Sequence, residues 1–357
     1  MEGLESAMEK GGGAEELDVV ISAKGPTELR SFLETWRPIL SPYHLIIIVP
    51  SADAVQVPLG FLHHLYTFHD IALASAHSDL TSALTVSLHS CKSFGFLIST
   101  KRYILTLDTD CAPAKDPLTG AIFDPIARHL QNLKQQSTPF FFNTLYDPYR
   151  EGTNFVRGYP FSLREGVVSA VSHGLWLNVP DLDAPTRIVK PHFMNRTYVD
   201  AVLTVPKGSL FPMSSINLAF DRKCVGVVMF FGLQSLSGSS RYASFDDIWA
   251  GLCCKVICDH LGLGVKSGLP YVWRNESAIS NAMEGLQQVP EGVQLLEHIL
   301  PFFQTLRFSR AAVTAEDCYL EVAKQLKEGK LNSVDKLFQQ IGVLMESWIK
   351  VWNSRSA

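Results

Sequence analysis

Apolar and amphipathic segments alternate along the first third of the chain. Largely apolar runs at Leu17–Ile21, His44–Val49 and Tyr103–Leu107 have the length and composition of buried strands. Between them, Thr27–Trp36 carries apolar residues at helical spacing and is predicted to end at the following proline. Thr81–Ser99 is predicted to form one helix. This alternation predicts a doubly wound α/β sheet, in which ligands bind at the carboxyl ends of the strands.

The remainder of the chain divides into an irregular region and a helical one. Residues 140–221 are rich in Gly, Pro and aromatic residues, which predicts loops and short strands over the carboxyl edge of the sheet. Asp246–His260 is predicted to be helical, and helical spacing dominates from Gln294 onward. A wide apolar stripe runs from Val334 to Trp352. We expect this stripe to pack on the body of the protein, with a subunit interface as the alternative.

Composition narrows the class of protein. Hydrophobic residues make up 46% of the 357 residues, enough for a full core, and a net charge of −4 offers no basic excess for a nucleic-acid backbone. The apolar runs are too short to cross a bilayer. There are seven cysteines, an odd number, and three of them crowd at Cys253, Cys254 and Cys258. This predicts buried thiols in a reducing, cytosolic setting, rather than disulfides or a zinc site.

Two carboxylates, Asp108 and Asp110, follow the third predicted strand. At positions i and i+2 past a buried strand, both can face one site and offer oxygen ligands to a hard divalent cation that also binds phosphate. We therefore predict that both ligate such an ion. The alternative is a strand-end turn, in which Asp and Thr are common.

A second concentration of functional residue types lies at residues 147–166, called here the arginine loop. It interleaves Arg150, Arg157 and Arg164 with carboxylates, aromatic residues and glycines. Guanidinium groups can clamp phosphate oxygens, and aromatic rings can stack on a sugar or base, so the loop is predicted to bind a ligand. The alternative is an exposed loop with weak surface ion pairs.

Two further residues are candidates for a site. Asp247, at a predicted helix start, can act as a base or bind a sugar hydroxyl, although stabilisation of the helix N-terminus is the simpler explanation. His173 precedes a glycine that lets a ligand approach the backbone, but we expect a structural role first. The chain has no Walker-type loop and no G-x-G-x-x-G, so neither an NTPase nor an NAD enzyme is indicated.

Longer motifs, spread between Asp18 and Trp352, carry a resemblance to a known family. They are Trp36–Pro38, Pro42–Ile47, Ala114–Pro117, Phe140–Gly152, Phe155–Arg164, Ser172–Asn178, Asp183–Thr186, Tyr198–Val202, Asn217–Arg222 and Cys258–Lys266. In these segments the chain resembles the reversibly glycosylated polypeptides of plants, the UDP-arabinopyranose mutase family. The middle motifs are long and specific to that family.

The resemblance implies a glycosyltransferase-A-like α/β fold, a divalent cation (Mn²⁺ or Mg²⁺), and interconversion of UDP-L-arabinopyranose and UDP-L-arabinofuranose for cell-wall polymers. It implies self-glycosylation on Arg157, which we expect in the cleft of the acidic pair. Because a guanidinium is a poor nucleophile, a carboxylate must accept its proton, and Asp147, Glu151 and Glu165 are the candidates. The resemblance also implies homo- or hetero-oligomers with other family members, and a cytosolic location or one at the cytosolic face of the Golgi, without a transmembrane segment.

The residue patterns, together with the role that the resemblance implies for Arg157, give a set of site roles. Catalysis is assigned to Arg157 and Asp247, binding of the UDP-sugar to Arg150, Arg164 and His173, and metal binding to Asp108 and Asp110. Residues 1–16 are expected to form a disordered tail. Residues 17–290 are expected to form the glycosyltransferase-A-like domain, with a nucleotide half at 17–118 and a sugar-binding half at 140–290. Residues 291–357 are expected to form a C-terminal helical extension.

The nucleotide half departs from the family pattern. Active members usually have Asp-Asp-Asp where this chain has Asp108-Thr109-Asp110, and arginine where it has Lys92. The usual Pro-Thr-Ile-Arg and Asp-Gly-Asp after the first two strands are replaced at Ser22–Gly25 and Val49–Asp53. The arginine loop keeps the pattern, so we hypothesise a member that is weak or inactive alone and acts with active paralogues. The alternatives are a fully active mutase and a metal-dependent glycosyltransferase with an external acceptor.

Overall fold

The computed structural model describes residues 13–53, 55–75, 78–116, 119–141, 143, 154–233, 242, 245–276 and 289–356. Its strands are β1 Leu17–Ser22, β2 His44–Val49, β3 Leu62–Thr67, β4 Tyr103–Asp108, β5 Cys111–Pro113, β6 Ser169–Asn178, β7 Val202–Thr204, β8 Asn217–Asp221 and β9 Gly264–Arg274. Its helices are α1 Pro26–Leu40, α2 Phe68–Ala74, α3 Ser78–Thr85, α4 Lys92–Ile98, α5 Pro125–Lys134, α6 Ala184–Val189, α7 Arg222–Val225, α8 Asp246–Leu261, α9 Val289–Thr305, α10 Ala315–Lys327 and α11 Leu337–Ser356.

The described strands form one mixed sheet in the order β3-β2-β1-β4-β8-β6-β9-β5, with β7 paired to β9. Strands β1 to β4 are parallel, and β6 and β9 are parallel to each other. Strand β8 runs antiparallel to its neighbours β4 and β6. The carboxyl ends of β1, β4, β6 and β9 therefore share one edge, called here the carboxyl edge, opposite an amino edge. The predicted α/β fold is confirmed, and the antiparallel pairings of β8, and of β5 and β7 with β9, make the sheet mixed.

Both faces of the sheet are covered, which explains the nearly continuous apolar character of its central strands. In β1, Val19 and Ile21 join the core beneath α1, whereas Val20 joins the larger core on the opposite face. Residues of the predicted nucleotide and sugar-binding halves meet where β4 pairs with β8. The two halves therefore share one sheet.

Two predicted helix boundaries were wrong. Helix α1 continues through Pro38 to Leu40, because the proline lies in the last turn, where the buried Ile39 and Leu40 still gain packing. The single helix predicted at 81–99 is divided into α3 and α4. Between them, the Ser87 hydroxyl accepts a hydrogen bond from the Ser90 N–H at 3.0 Å, a local bond that competes with helix continuation.

The prediction of loops and short strands across residues 140–221 missed β6, a ten-residue strand near the centre of the sheet. Because neighbours cover both of its faces, β6 lacks the alternation that marks a half-exposed strand. Gly174 within it is required by packing: a Cβ at this position would lie 2.1 Å from the amide nitrogen of Asn217.

The C-terminal stripe packs on the body, as predicted. Phe338, Met345 and Trp348 of α11 are fully buried. The Trp348 indole N–H donates to the Val227 carbonyl at 2.7 Å, and its ring stacks on Phe230. The stripe therefore belongs to the core, and the alternative of a subunit interface was wrong. Within the described ranges no helix has the length and hydropathy needed to span a membrane. The predicted tail falls mostly on residues 1–12, outside the described residues.

Candidate functional site

The acidic pair lies on a tightly held turn at the carboxyl edge. Asp108 ends β4, and the turn that contains Asp110 leads directly into β5. The Trp36 indole N–H donates to the Cys111 carbonyl at 2.8 Å, and the Asn275 N–H donates to the Asp110 carbonyl at 2.8 Å. Bonds from α1 and from the end of β9 therefore fix the backbone that carries both carboxylates.

Each carboxylate of the pair faces a cationic side chain. Lys92, at the start of α4, forms an ion pair with Asp108 although its own side chain is only 1% exposed. Arg274, at the end of β9, places Nε 3.4 Å from an Asp110 oxygen and Nη1 3.5 Å from an Asp181 oxygen. The structure thus brings together two cations and three carboxylates that are distant in sequence.

The charges around the pair act on the two carboxyl groups in opposite directions. Burial opposes ionisation of Asp108, but the ammonium of Lys92 outweighs it, with help from His89, and lowers the pKa of Asp108 to about 2. Burial and the negative charge of Asp108 raise the pKa of Asp110, although Arg274 opposes that rise. Asp110 is therefore the member of the pair that takes up a proton first on acidification.

Asp247 reaches the same edge from the first turn of α8. Its carboxylate accepts a hydrogen bond from the Ser215 N–H at 2.9 Å. Burial raises the pKa of Asp247, opposed by the neighbouring His89 and by the Ser215 N–H. A half-buried carboxylate of raised pKa suits the predicted role as a base or sugar-hydroxyl ligand, and this role stays a prediction.

His173 lies inside the sheet and is only 5% exposed. Its Nε2 accepts a hydrogen bond from the Ser214 N–H at 3.2 Å, so Nδ1 carries the proton and donates to the Ser267 hydroxyl at 3.3 Å. Burial lowers the pKa of His173 to about 4. Its ring therefore helps to fix the segment before β8 that carries Ser215. Binding of the UDP-sugar by His173 stays a prediction.

The described part of the arginine loop lies at the amino edge. Val167 exchanges backbone hydrogen bonds with Ser137 immediately before β6 begins. The Asn143 side chain donates to the Asn154 carbonyl at 2.6 Å and accepts from the Val156 N–H at 3.1 Å. A cavity of about 120 Å³ beneath the loop is lined by Thr138, Phe140, Tyr159, Ser162, Leu163, Gly166 and Val167.

Arg157 is exposed within a turn closed by a 2.9 Å bond from the Tyr159 N–H to the Val156 carbonyl. Gly158 adopts φ of 105°, the left-handed conformation that this turn position favours in glycine. Arg164 is also exposed, and its guanidinium lies over the rings of Phe155 and Phe161 at 4.9 and 5.2 Å. Glu165 is exposed, whereas Arg150, Asp147 and Glu151 lie outside the described residues.

Within this single chain, the described structure does not bring Arg157 to the acidic pair. The loop precedes β6 at the amino edge, and Asp108 ends β4 at the carboxyl edge. A six-residue strand such as β4 spans about 17–20 Å, which is the separation of the two edges. The expected shared cleft is therefore absent here, because the Ser137–Val167 pairing anchors the loop at the other edge. Glycosylation of Arg157 itself stays a prediction.

The residues at the acidic turn do not fit a divalent-cation site as they stand. Both predicted ligands already face a side-chain cation, and the Thr109 hydroxyl between them donates to Glu28 at 2.5 Å. No group of three His, Cys, Asp or Glu side chains suited to a metal ion occurs in the described part of the chain. Ligation of Mn²⁺ or Mg²⁺ by Asp108 and Asp110 stays a prediction.

The sequence reasoning missed the cationic half of this site. Arg274 is the last residue of β9 and belongs to none of the motifs described above. Lys92 stood out only because an arginine is usual there. A signal for Arg274 was present, because it ends the buried run that contains Tyr271 and Val272, at the edge where ligands bind.

Comparisons with known proteins agree with the resemblance. Residues 13–357 match a family model described as "Reversibly glycosylated polypeptide". UDP-arabinopyranose mutase 1 of Arabidopsis thaliana is 50% identical over 343 residues, which cover 95% of this chain and 92% of that protein. UDP-arabinopyranose mutase 2 of Arabidopsis thaliana is 49% identical, with 95% and 92% covered. UDP-arabinopyranose mutase 1 of Oryza sativa subsp. japonica is 48% identical, with 95% and 91% covered.

Proposed function

Because the chain belongs to the reversibly glycosylated polypeptide family, we propose that it binds a UDP-sugar at the carboxyl edge and acts in the interconversion of UDP-arabinopyranose and UDP-arabinofuranose. Its activity alone is weak, and it works in a complex with active paralogues. The support for the substrate comes from relatives about half identical over nearly the whole chain, whose names state this activity.

The observation that carries the proposal is the position of Arg274 at the carboxyl edge. When the bond between the sugar C1 and the diphosphate oxygen breaks, negative charge develops on the departing UDP. A guanidinium beside that oxygen stabilises the charge through paired N–H donors. Asp247, which accepts a hydrogen bond from the Ser215 N–H, can also accept one from a sugar hydroxyl.

The same arrangement supports the proposal that turnover by the chain alone is weak. Arg274 is shared between Asp110 and Asp181, and Lys92 is committed to Asp108. A cation that is already paired with carboxylates stabilises the negative charge on a leaving group less than a metal ion bound at the diphosphate does. Such a chain would contribute to the supply of arabinose for the cell wall as part of a hetero-oligomer with active paralogues. This complex would lie at the cytosolic face of the Golgi.

Glycosylation of Arg157 forms part of the proposal. The bond between the sugar C1 and UDP breaks, a bond from C1 to a guanidinium nitrogen forms, and the proton of that nitrogen passes to a carboxylate such as Glu165. Because Arg157 lies at the amino edge, the acceptor arginine reaches the cleft of a second copy, or the loop moves. A complex of several copies suits the first of these routes.

Turnover of the purified full-length chain tests the proposed function. UDP-arabinopyranose is supplied with Mn²⁺ or with EDTA, and the furanose product is separated and quantified. We expect slow formation by the chain alone and co-purification with an active paralogue. Rapid formation by the chain alone would instead establish a fully active mutase. Transfer of the sugar to an added acceptor, with no furanose formed, would favour a glycosyltransferase.

A further inference from the structure

The two carboxylates predicted to hold a metal ion each face a cation supplied by this chain. Lys92 pairs with Asp108, and Arg274 lies 3.4 Å from Asp110. Together they carry the two positive charges that one divalent ion would bring. We propose that Lys92 and Arg274 take the place of a divalent cation, so that the chain binds the diphosphate of a UDP-sugar without a metal ion. This inference rests on the proposed function.

Lys92 excludes an ion from Asp108. It begins α4, which packs on β1, and its side chain is 1% exposed, with Nζ also 3.5 Å from the Ser215 carbonyl. A divalent ion bound to Asp108 would stand beside the buried ammonium and repel it strongly. Displacing the ammonium would leave a buried charge without its partner, which is strongly unfavourable. Lys92 therefore neutralises Asp108 from behind and does not itself touch the ligand.

Arg274 is the cation that contacts the ligand. Its two carboxylate partners lie at 3.4 and 3.5 Å, longer than a close ion pair, and the Asp181 side chain is 56% exposed. An ion pair with such a solvated carboxylate is weak, so phosphate oxygens can replace Asp181. The planar guanidinium then binds two phosphate oxygens in parallel while Asp110 keeps it oriented.

The Thr109 hydroxyl is a further oxygen on the turn, but it is directed away from the acidic pair. Its hydroxyl donates to Glu28 at 2.5 Å, and Glu28 also accepts from the Lys24 N–H at 2.8 Å. Thr109 is therefore engaged toward α1. A hard cation that needs six or more oxygens would find two side-chain carboxylates on this turn, and each already faces a cation.

Manganese binding to the full-length chain, measured without nucleotide by the electron paramagnetic resonance signal of free Mn²⁺, tests the first half of the proposal. We expect no stoichiometric site in the natural chain. Lys92→Met and Arg274→Met each release a carboxylate, and we expect Mn²⁺ to bind about tenfold or more tightly to them. Lys255→Met is the matched control, since Lys255 is equally buried and pairs with Asp259 elsewhere on α8. One tight Mn²⁺ site in the natural chain would overturn the proposal.

Binding of UDP, followed by calorimetry in EDTA and in Mn²⁺, tests the second half. We expect the two dissociation constants of the natural chain to agree within about twofold, whereas Mn²⁺ improves binding by about tenfold in Arg274→Met. Binding that appears only with Mn²⁺ in the natural chain would overturn the inference. Failure to bind UDP in both buffers would contradict the proposed function, while the manganese titration would still decide whether the side chains exclude the ion. Should Lys92→Met not fold, the natural chain and Arg274→Met complete both tests.

Discussion

Arg274 and Asp110 face each other where the end of β9 meets the start of β5, with 3.4 Å between Nε and the carboxylate oxygen. They are 164 positions apart in the sequence. The Asn275 N–H also donates to the Asp110 carbonyl, so backbone and side chain hold the two segments together. The backbone bond remains when either side chain is replaced. A change at Arg274 or Asp110 should therefore affect ligand binding more than the fold.

Replacing Arg274 by lysine should weaken UDP binding by about tenfold, because a lysine keeps the charge but loses the planar fork that binds two oxygens. Calorimetry of the purified variant measures this. Arg37→Lys is the control, since Arg37 makes a comparable carboxylate contact, with Glu34, on the exposed face of α1. Equal affinity in Arg274→Lys and the natural chain would show that the guanidinium does not hold the diphosphate.

The separation of Arg157 from the acidic pair predicts glycosylation between copies. In EDTA, Arg157→Ala should reduce incorporation of label from a radiolabelled UDP-sugar to background, and Arg274→Met should do so by losing the donor site. If one copy glycosylates another, a mixture of these two variants should regain label, carried on the Arg274→Met chain. A mixture that stays unlabelled while the natural chain is labelled would favour movement of the loop within one copy.

Two buried histidines predict a pH dependence of stability. Burial lowers the pKa of both His129 and His173 from 6.5 to about 4. Between these values the unfolded chain binds protons that the folded chain does not, so the free energy of unfolding falls as pH drops from about 6.5 to 4. The slope is about 1.4 kcal/mol per pH unit for each histidine that is protonated in the unfolded chain and neutral in the folded chain.

Urea denaturation at several pH values across this window measures the slope. His129→Gln should make it shallower, whatever its effect on stability at pH 7, whereas His192→Gln, at an exposed position, should leave it unchanged. An unchanged slope in His129→Gln would mean that this histidine does not remain neutral in the folded chain.

The burial of the C-terminal stripe predicts a loss of stability when it is trimmed. Trp348→Ala removes the stack on Phe230 and the bond to the Val227 carbonyl, and should lower the free energy of unfolding by about 3–5 kcal/mol. Val343→Ala, at a half-exposed position on the same helix, should change it by less than about 0.5 kcal/mol. Chemical denaturation of the two variants tests the difference, and similar values would contradict the assigned packing.

Local patterns predicted those features of the fold that depend on neighbouring residues. The run Tyr103–Leu107 followed by Asp108 and Asp110 indicated a buried strand with carboxylates at its end, and both are present. The stripe ending at Trp352 likewise indicated packing on the body. Strand β6 was missed, because a strand covered on both faces has no alternation for the pattern to show.

The partners of the carboxylates could not be inferred in the same way. The contact between Arg274 and Asp110 depends on the pairing of β9 with β5, two strands that are distant in the sequence. No local pattern reveals this pairing. The position of the arginine loop depends equally on topology, since it is set by which end of β6 the loop enters. Sequence likeness identified the loop as important, but its motif carries no information about the edge on which it lies.

The antiparallel insertion of β8 has a consequence for synthesis of the chain. Strand β4 emerges from the ribosome well before β8, its eventual neighbour, and until then presents a row of unpaired backbone groups along a strongly apolar strand. Such exposed edges promote association between nascent chains. Residues 17–118 expressed alone should therefore aggregate rather than fold, and the full chain should need protection during translation until Asn217–Asp221 has been added.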